Sequence, residues 1–264
     1  MNWRSTSITL TLAAVLIATA AHADLASTIV RIKPSIAIVG TYKATNSPRF
    51  TLRGTGFVVS DDARQGQGNR LVTNAHVLMP PADVDPDATL VVQLRSGANG
   101  WQTRAAKVLE VDTQHDLALL RFDGPAVTAF KVGNSDKVQE GQSVAFMGFP
   151  IGGLLGFSPV THRATISSIA PAALPTPTAS QLNPEAIRSL RGNSPFDIFQ
   201  LDGTAYPGNS GGPLFDPDTG EVLGVVNMVL IKGTRESALS HPSGISYAVP
   251  SRWVLELLQR NAGN

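Results

Sequence analysis

The chain has 264 residues, with 21 basic and 20 acidic side chains and a formal net charge of +1. This near-equal number of positive and negative charges argues against a nucleic acid or an anionic membrane surface as the main partner. The sequence contains no cysteine, which excludes a thiol nucleophile, a disulfide framework and a cysteine-based zinc site. Its length is sufficient for one large domain, or for two small ones that share a core.

The first 23 residues have the composition of a cleavable export signal. Arg4 supplies a positive charge, residues 8–20 are apolar with interspersed threonines, and the tripeptide ending at Ala23 fits the small-x-small cleavage rule. The apolar run is shorter than the roughly 20 residues that a spanning helix needs, which disfavours a membrane anchor. We therefore expect cleavage near Ala23, an exported protein that is periplasmic or secreted, and no stable membrane insertion.

The mature chain is predicted to consist mainly of short strands, because segments rich in Val, Ile, Leu and Thr alternate with turn residues. A helix is predicted first, at residues 25–33, with Asp24 as its cap and Pro34 at its end. The predicted strands of the first half are residues 35–42, 56–60, 71–74, 89–94, 103–111 and 117–122. Those of the second half are residues 143–148, 160–169, 197–201, 222–230 and 245–249.

Two further segments complete the chain. Residues 171–195 contain five prolines and are predicted to be an insertion loop. Residues 251–261 are predicted to be a final helix, capped by Ser251. Since helices are predicted at the two ends and regular strands between them, the fold class is all-β, a barrel or sandwich arrangement and not an α/β sheet.

Three residues have local contexts that suit nucleophilic catalysis. Ser210 lies in Gly208-Asn209-Ser210-Gly211-Gly212-Pro213, where glycines allow positive φ and let backbone N–H groups face a substrate carbonyl. His76 follows an apolar strand and could supply the base that a serine hydroxyl needs. Asp116 opens a buried apolar run, where a carboxylate requires a partner such as a histidine N–H. Two neighbouring carboxylates are alternatives for this acid, Asp112 and Asp123.

The serine block has other interpretations. Its Gly-x-Ser-x-Gly pattern also fits the nucleophile elbow of α/β-hydrolases, with an acid at residue 216 or 218 and His241 following in order. That elbow must lead into a helix, which Pro213 and Pro217 oppose. The block could also be an ordinary turn of a β protein.

Three blocks of the sequence, residues 73–77, 116–120 and 207–214, resemble the signature motifs of the HtrA/Deg serine proteases. Four connecting segments resemble the same family: residues 54–60, 133–136, 148–150 and 244–250. The resemblance implies a trypsin-like protease domain over residues 24–264. It would consist of two six-stranded antiparallel β-barrels of the chymotrypsin type, at about residues 35–128 and 129–250, with the active site at their junction.

The resemblance also assigns roles to individual residues. It makes His76 the general base, Asp116 the orienting acid and Ser210 the nucleophile of a serine endopeptidase. The backbone N–H groups of Gly208 and Ser210 would form the oxyanion hole, with Asn209 between them. We expect no cofactor and no metal.

Substrate preference is predicted from the residues around the expected S1 pocket. Thr204 stands six residues before Ser210, where trypsin-like enzymes that cleave after Lys or Arg carry an aspartate. The neighbouring strand contributes Val226, Asn227 and Met228. Because this pocket would have no countercharge, we expect cleavage after small or medium apolar residues.

The sequence ends just after the predicted final helix, so we expect a protease that lacks the PDZ module of its better-known relatives. The expected substrates are proteins and peptides, including unfolded ones, in envelope quality control or processing, and the expected assembly is a monomer or a trimer. No nucleic-acid partner is expected. An alternative is a protease-like binding protein or chaperone with low or conditional activity, because glycine-rich segments at residues 148–156 and 203–212 would allow an inactive resting state.

Overall fold

The computed structural model describes residues 24–60, 66–78, 87–97, 100–150, 157–171, 196–227 and 244–262. The predicted export signal at residues 1–23 lies outside these residues. So do residues 172–195 of the predicted insertion and residues 228–230 of one predicted strand, including Met228.

The described part of the chain has α-helices near its two ends and one short helix beside the site. They are α1 (Leu25–Ile32), α2 (Ala75–Leu78) and α3 (Ser251–Arg260). Two 3-10 helices lie at Lys33–Ser35 and Ser135–Lys137. Within the described residues, no helix has both the length and the apolar character needed to cross a membrane.

Both predicted side-chain caps of these helices are wrong. Asp24 occupies the N-cap position of α1, but its side chain makes no capping hydrogen bond. Ser251 is the first residue of α3, and its hydroxyl donates to the carbonyl oxygen of Gly133 at 2.8 Å. The hydroxyl therefore ties α3 to the segment between the barrels.

The first six-stranded unit is a closed antiparallel barrel with the order β1-β2-β4-β7-β6-β5. Its strands are β1 (Ile36–Tyr42), β2 (Phe50–Val59), β4 (Arg70–Thr73), β5 (Thr89–Ser96), β6 (Gly100–Asp112) and β7 (Leu117–Phe122). A separate two-stranded sheet pairs β3 (Gln67–Gly68) with β8 (Val127–Thr128). The strand predictions located every barrel strand here, although β2 begins at Phe50 and not at residue 56.

The second unit is a closed antiparallel barrel with the order β10-β11-β14-β13-β12-β9. Its strands are β9 (Ser143–Gly148), β10 (Val160–Pro171), β11 (Asp197–Asp202), β12 (Pro213–Phe215), β13 (Val222–Asn227) and β14 (Ile245–Pro250). No strand was predicted at β12, because it has only three residues and begins with a proline, which is tolerated at a strand's first position. The predicted all-β fold with two six-stranded barrels is confirmed.

Aromatic packing joins the two barrels. Phe130, in the connection between them, contacts Phe57 of β2 at a centroid distance of 5.7 Å and Phe215 of β12 at 6.4 Å. All three rings are almost completely buried. Because buried aromatic side chains each remove about 150–250 Å² from water, this contact fixes the junction.

Candidate active site

The residues predicted to act together lie at this junction, on elements that the barrels hold in place. Antiparallel pairing of β4 with β7 sets Thr73 opposite Ala118, so the chain leaving β4 passes beside the turn that enters β7. His76 lies on α2, directly after β4, and Asp116 is the last residue before β7. Ser210 precedes β12 of the second barrel.

His76 and Asp116 form a close pair. The Nδ1 atom of His76 is 2.5 Å from Oδ2 of Asp116, and the backbone N–H of His76 donates to Oδ1 at 2.8 Å. The two side chains are 24% and 26% exposed, so both are largely shielded from water. Two bonds to one carboxylate fix the ring's orientation and leave its Nε2 as the atom available for proton transfer.

The backbone of Asp116 is held in an unusual conformation. Its φ is +52°, the single positive value among the described non-glycine residues. Its carbonyl oxygen accepts from Nδ2 of Asn74 at 2.9 Å and from the N–H of Ala75 at 3.1 Å. Left-handed backbone is tolerated by aspartate more readily than by most residues, but it needs such surrounding contacts to persist.

A third side chain reaches the same carboxylate. Nδ2 of Asn227, the last residue of β13, donates to Oδ2 of Asp116 at 2.7 Å. Asn227 was predicted as a contact for substrate, but this side chain is directed at the acid. Of the two alternative acids, Asp112 pairs with His115 and Asp123 is exposed, so Asp116 is the carboxylate that meets His76.

Glycines shape the turn that carries Ser210. Gly208 has a φ of +104° and Gly211 a φ of +83°, both in the region that side chains disfavour. The N–H of Asn209 donates to the carbonyl of Tyr206 at 2.9 Å, so it faces into the turn and cannot face a substrate. Asn209 is fully buried, and its side-chain amide has no hydrogen-bond partner among the described residues.

Thr55 of β2 ties this turn to the first barrel. Its backbone N–H donates to the carbonyl of Ser210 at 2.9 Å, and its hydroxyl donates to the carbonyl of Gly208 at 2.6 Å. The same hydroxyl accepts from the N–H of Phe149 at 3.1 Å. A Cβ on Gly211 would collide with the Thr55 carbonyl oxygen, so the turn sits directly on the first barrel.

The segment predicted to line an S1 pocket is anchored to β14. The hydroxyl of Ser246 accepts from the N–H of Ala205 and donates to the carbonyl of Gly203, both at 2.7 Å. Thr204, between them, is half-buried. Val226 is fully buried in β13, with its N–H bonded to Gly212 and its carbonyl to Gly211. The strand thus runs directly beside the serine turn.

His162 of β10 lies against this segment. Its ring stacks on Phe146 of β9 at 4.7 Å and lies 6.2 Å from the ring of Tyr206. Its Nε2 is buried without a hydrogen-bond partner among the described residues. Burial lowers the pKa of His162 below its ordinary value, because the charged ring would lose water without gaining a partner.

The geometry bears on two other kinds of site, a nucleophile elbow and a metal centre. The α/β-hydrolase interpretation requires a helix directly after the serine, but β12 stands there, so that interpretation is wrong; His241 lies outside the described residues. Among the described residues, no cluster of three or more His, Cys, Asp and Glu side chains could hold a metal ion.

The chain is similar to known proteins over most of its length. Residues 54–225 match the family described as trypsin-like peptidase domain. A "Probable periplasmic serine endoprotease DegP-like" of Marinomonas sp. (strain MWYL1) is 29% identical over 207 residues, covering 78% of this chain and 35% of the relative. "Serine protease HTRA2, mitochondrial" of Drosophila virilis is 31% identical over 218 residues, covering 83% of this chain and 42% of the relative.

Solved structures give the same picture of the fold. "HtrA-type protease AlgW with tripeptide" superposes with a TM-score of 0.62 at 24% identity, covering 91% of this chain and 64% of that one. The two curated relatives confirm the resemblance to HtrA/Deg proteases, and the solved structure confirms the fold. This chain spans 35% and 42% of the lengths of the two curated relatives described above.

Proposed function

This chain belongs to the trypsin-like peptidase domain family, and from that premise we propose that it is a serine endopeptidase acting through Ser210, His76 and Asp116. The observation that carries the proposal is the 2.5 Å contact between Nδ1 of His76 and Oδ2 of Asp116. An imidazole that is largely shielded from water and held at both its ring and its backbone by one carboxylate is the arrangement that activates a serine hydroxyl.

In the proposed reaction, Oγ of Ser210 attacks the scissile carbonyl carbon while Nε2 of His76 takes the hydroxyl proton. Asp116 keeps the ring in the tautomer with its proton on Nδ1 and stabilises the imidazolium that forms. The tetrahedral intermediate collapses as His76 gives the proton to the departing amine, which leaves an acyl-enzyme ester. A water molecule, deprotonated by the same histidine, then hydrolyses the ester and frees Ser210.

The oxyanion of the tetrahedral intermediate is proposed to accept hydrogen bonds from the backbone N–H groups of Gly208 and Ser210. Asn209 was predicted to belong to the oxyanion hole with these two residues. It cannot donate to the intermediate, because its N–H is bonded to the carbonyl of Tyr206. The positive φ of Gly208 supports this role, since it turns the peptide groups of the block. Loss of one such donor lowers kcat by roughly 10²–10³ in a well-studied protease.

The proposed P1 residue is small or medium and apolar. Thr204 at the expected pocket position carries no charge, and Val226 is apolar and buried beside the turn. Met228 is proposed to contribute to the same pocket. A countercharge is what binds a P1 Lys or Arg, so efficient cleavage after either residue in a peptide library would contradict the proposal.

We further propose that the mature protein starts near Asp24 after export, is periplasmic or secreted, and acts on protein or peptide substrates as a monomer or trimer. The DegP-like relatives carry the word periplasmic in their names, which supports this location. No cofactor and no nucleic acid take part in the proposed reaction.

Labelling with a fluorophosphonate probe tests the proposal, with Ser210→Ala as the matched control. We expect the wild type to be labelled and Ser210→Ala not to be. His76→Ala and Asp116→Asn should both lose casein cleavage, by about 10⁴-fold for the carboxylate. Wild-type protein that stays unlabelled under all conditions would favour the binding-protein interpretation.

A further inference from the structure

A second histidine–aspartate pair stands one residue before Asp116. Nδ1 of His115 lies 2.9 Å from Oδ2 of Asp112, and the backbone N–H of His115 donates to Oδ1 at 3.1 Å. The side chains are 8% and 10% exposed, so this pair is more deeply buried than the pair of the candidate active site. The proposed chemistry makes no use of it.

The C-terminal helix α3 packs against this second pair. The indole of Trp253 stacks on the imidazole of His115 with centroids 3.8 Å apart and planes inclined by 16°. The ring of Phe196 makes a T-shaped contact with the same imidazole, with centroids 4.8 Å apart. The imidazole of His115 is therefore hydrogen-bonded to Asp112 and covered by the indole of Trp253.

The end of α3 is fastened to the same carboxylate. Nη2 of Arg260 donates to Oδ2 of Asp112 at 3.2 Å, and its Nε donates to Oε1 of Glu110 at 2.7 Å. Asn261 donates to the other oxygen of Glu110. Burial by itself would raise the pKa of Asp112, but hydrogen bonds from the side chain and backbone of His115, its charge and Arg260 lower it. Asp112 therefore stays charged and holds both partners.

These contacts bear on the conformation of Asp116. A non-glycine residue with a φ of +52° needs surrounding contacts to keep that conformation. Asn74 and Ala75 hold its carbonyl oxygen. On the preceding side the chain continues into His115, whose backbone and ring are both held by Asp112 and whose ring is covered by α3.

We propose that Trp253 and His115 are positioning residues of the active site, and that the stacking of Trp253 on His115 keeps the Asp116 carboxylate aimed at His76. The inference rests on the proposed catalytic role of Asp116. Neither residue touches the reacting atoms; they act through the backbone that joins His115 to Asp116. A displacement of about 1 Å in such a constellation lowers the rate by about 10²-fold, so the effect is measurable.

The first test compares Trp253→Ala with Trp253→Phe and with Leu257→Ala. Leu257 is a buried residue of the same helix with no part in the His115 contacts, so it controls for loss of stability. On the peptide that the wild type cleaves best, we expect Trp253→Ala to lower kcat at least tenfold with little change in KM. Trp253→Phe, which keeps an aromatic ring on the imidazole, should recover to within about threefold. Leu257→Ala should lower Tm but retain kcat.

The second test is a double-mutant cycle with Asp116→Asn, read as the rate at which a fluorophosphonate labels Ser210. If Trp253 acts through Asp116, adding Trp253→Ala to Asp116→Asn changes the rate by less than about twofold. Multiplicative losses overturn the inference, as does a Trp253→Ala variant whose kcat equals that of Leu257→Ala. If Trp253→Ala does not fold, Asp112→Asn takes its place in the cycle. This substitution keeps the shape of the side chain but removes the negative charge that holds His115.

The two proposals fail in different ways. A wild type that is never labelled overturns the proposed function, and the inference about α3 falls with it. A wild type that is labelled, together with a folded Trp253→Ala variant that is labelled equally fast, overturns the inference alone.

Discussion

Replacement of Asn227 by leucine removes one of the hydrogen bonds that hold the catalytic carboxylate while nearly preserving side-chain volume. The carboxylate of Asp116 accepts from the ring of His76 at 2.5 Å, from the backbone of His76 at 2.8 Å and from Asn227 at 2.7 Å. A hydrogen bond to a charged group contributes about 1.5–3 kcal/mol. Since about 1.4 kcal/mol corresponds to a tenfold change in rate, we expect kcat to fall by about ten- to a hundredfold.

The assay separates this positioning role from the substrate contact first predicted for Asn227. Two peptides that differ in P1, alanine in one and valine in the other, are hydrolysed by Asn227→Leu and by a control, Thr204→Val. A positioning role lowers kcat equally for both peptides and leaves KM nearly unchanged. A change confined to KM, a loss that depends on P1, or a kcat within twofold of the wild type would refute the reasoning. The control should affect the two peptides unequally, because Thr204 lies at the expected pocket.

Thr55→Val is expected to lower the free energy of unfolding by about 1–3 kcal/mol, because the partly buried carbonyl of Gly208 loses its donor and the buried N–H of Phe149 loses its acceptor. Urea titration measures this, and an unchanged midpoint and slope would contradict it. Gly211→Ala should lower the free energy of unfolding by about 1–3 kcal/mol from backbone strain alone, because the φ of this residue is +83°. The fluorophosphonate probe should no longer label Ser210 in this variant. The lowered pKa of His162 means that, just below pH 6.5, the unfolded chain binds more protons than the folded one, so stability falls on acidification. His162→Phe should therefore lose less stability between pH 7.5 and 5 than the wild type, and an equal loss would argue against that cause.

The barrel strands were largely predictable because side-chain alternation and turn residues are local properties. Both Leu117–Phe122 and Ser143–Gly148 have the bounds that the sequence predicts. The exception, Pro213–Phe215, is too short to show a period and gains its strand geometry from pairing with β9 and β13. The wrong caps have a similar origin, because the Ser251 hydroxyl finds a partner in Gly133, which is distant in sequence.

The three signature blocks alone determined which histidine, aspartate and serine to consider, since each carries the local glycines or apolar neighbours that such chemistry needs. For the acid, the local context favoured Asp116 but left Asp112 and Asp123 as alternatives. Only the tertiary structure decided that Asp116 meets His76 while Asp112 is held by His115 and α3. It also turned Asn227 from a predicted pocket residue into a donor to Asp116. The physical reason is that a side chain's local sequence sets its chemistry, whereas its partner depends on which strands two closed barrels bring side by side.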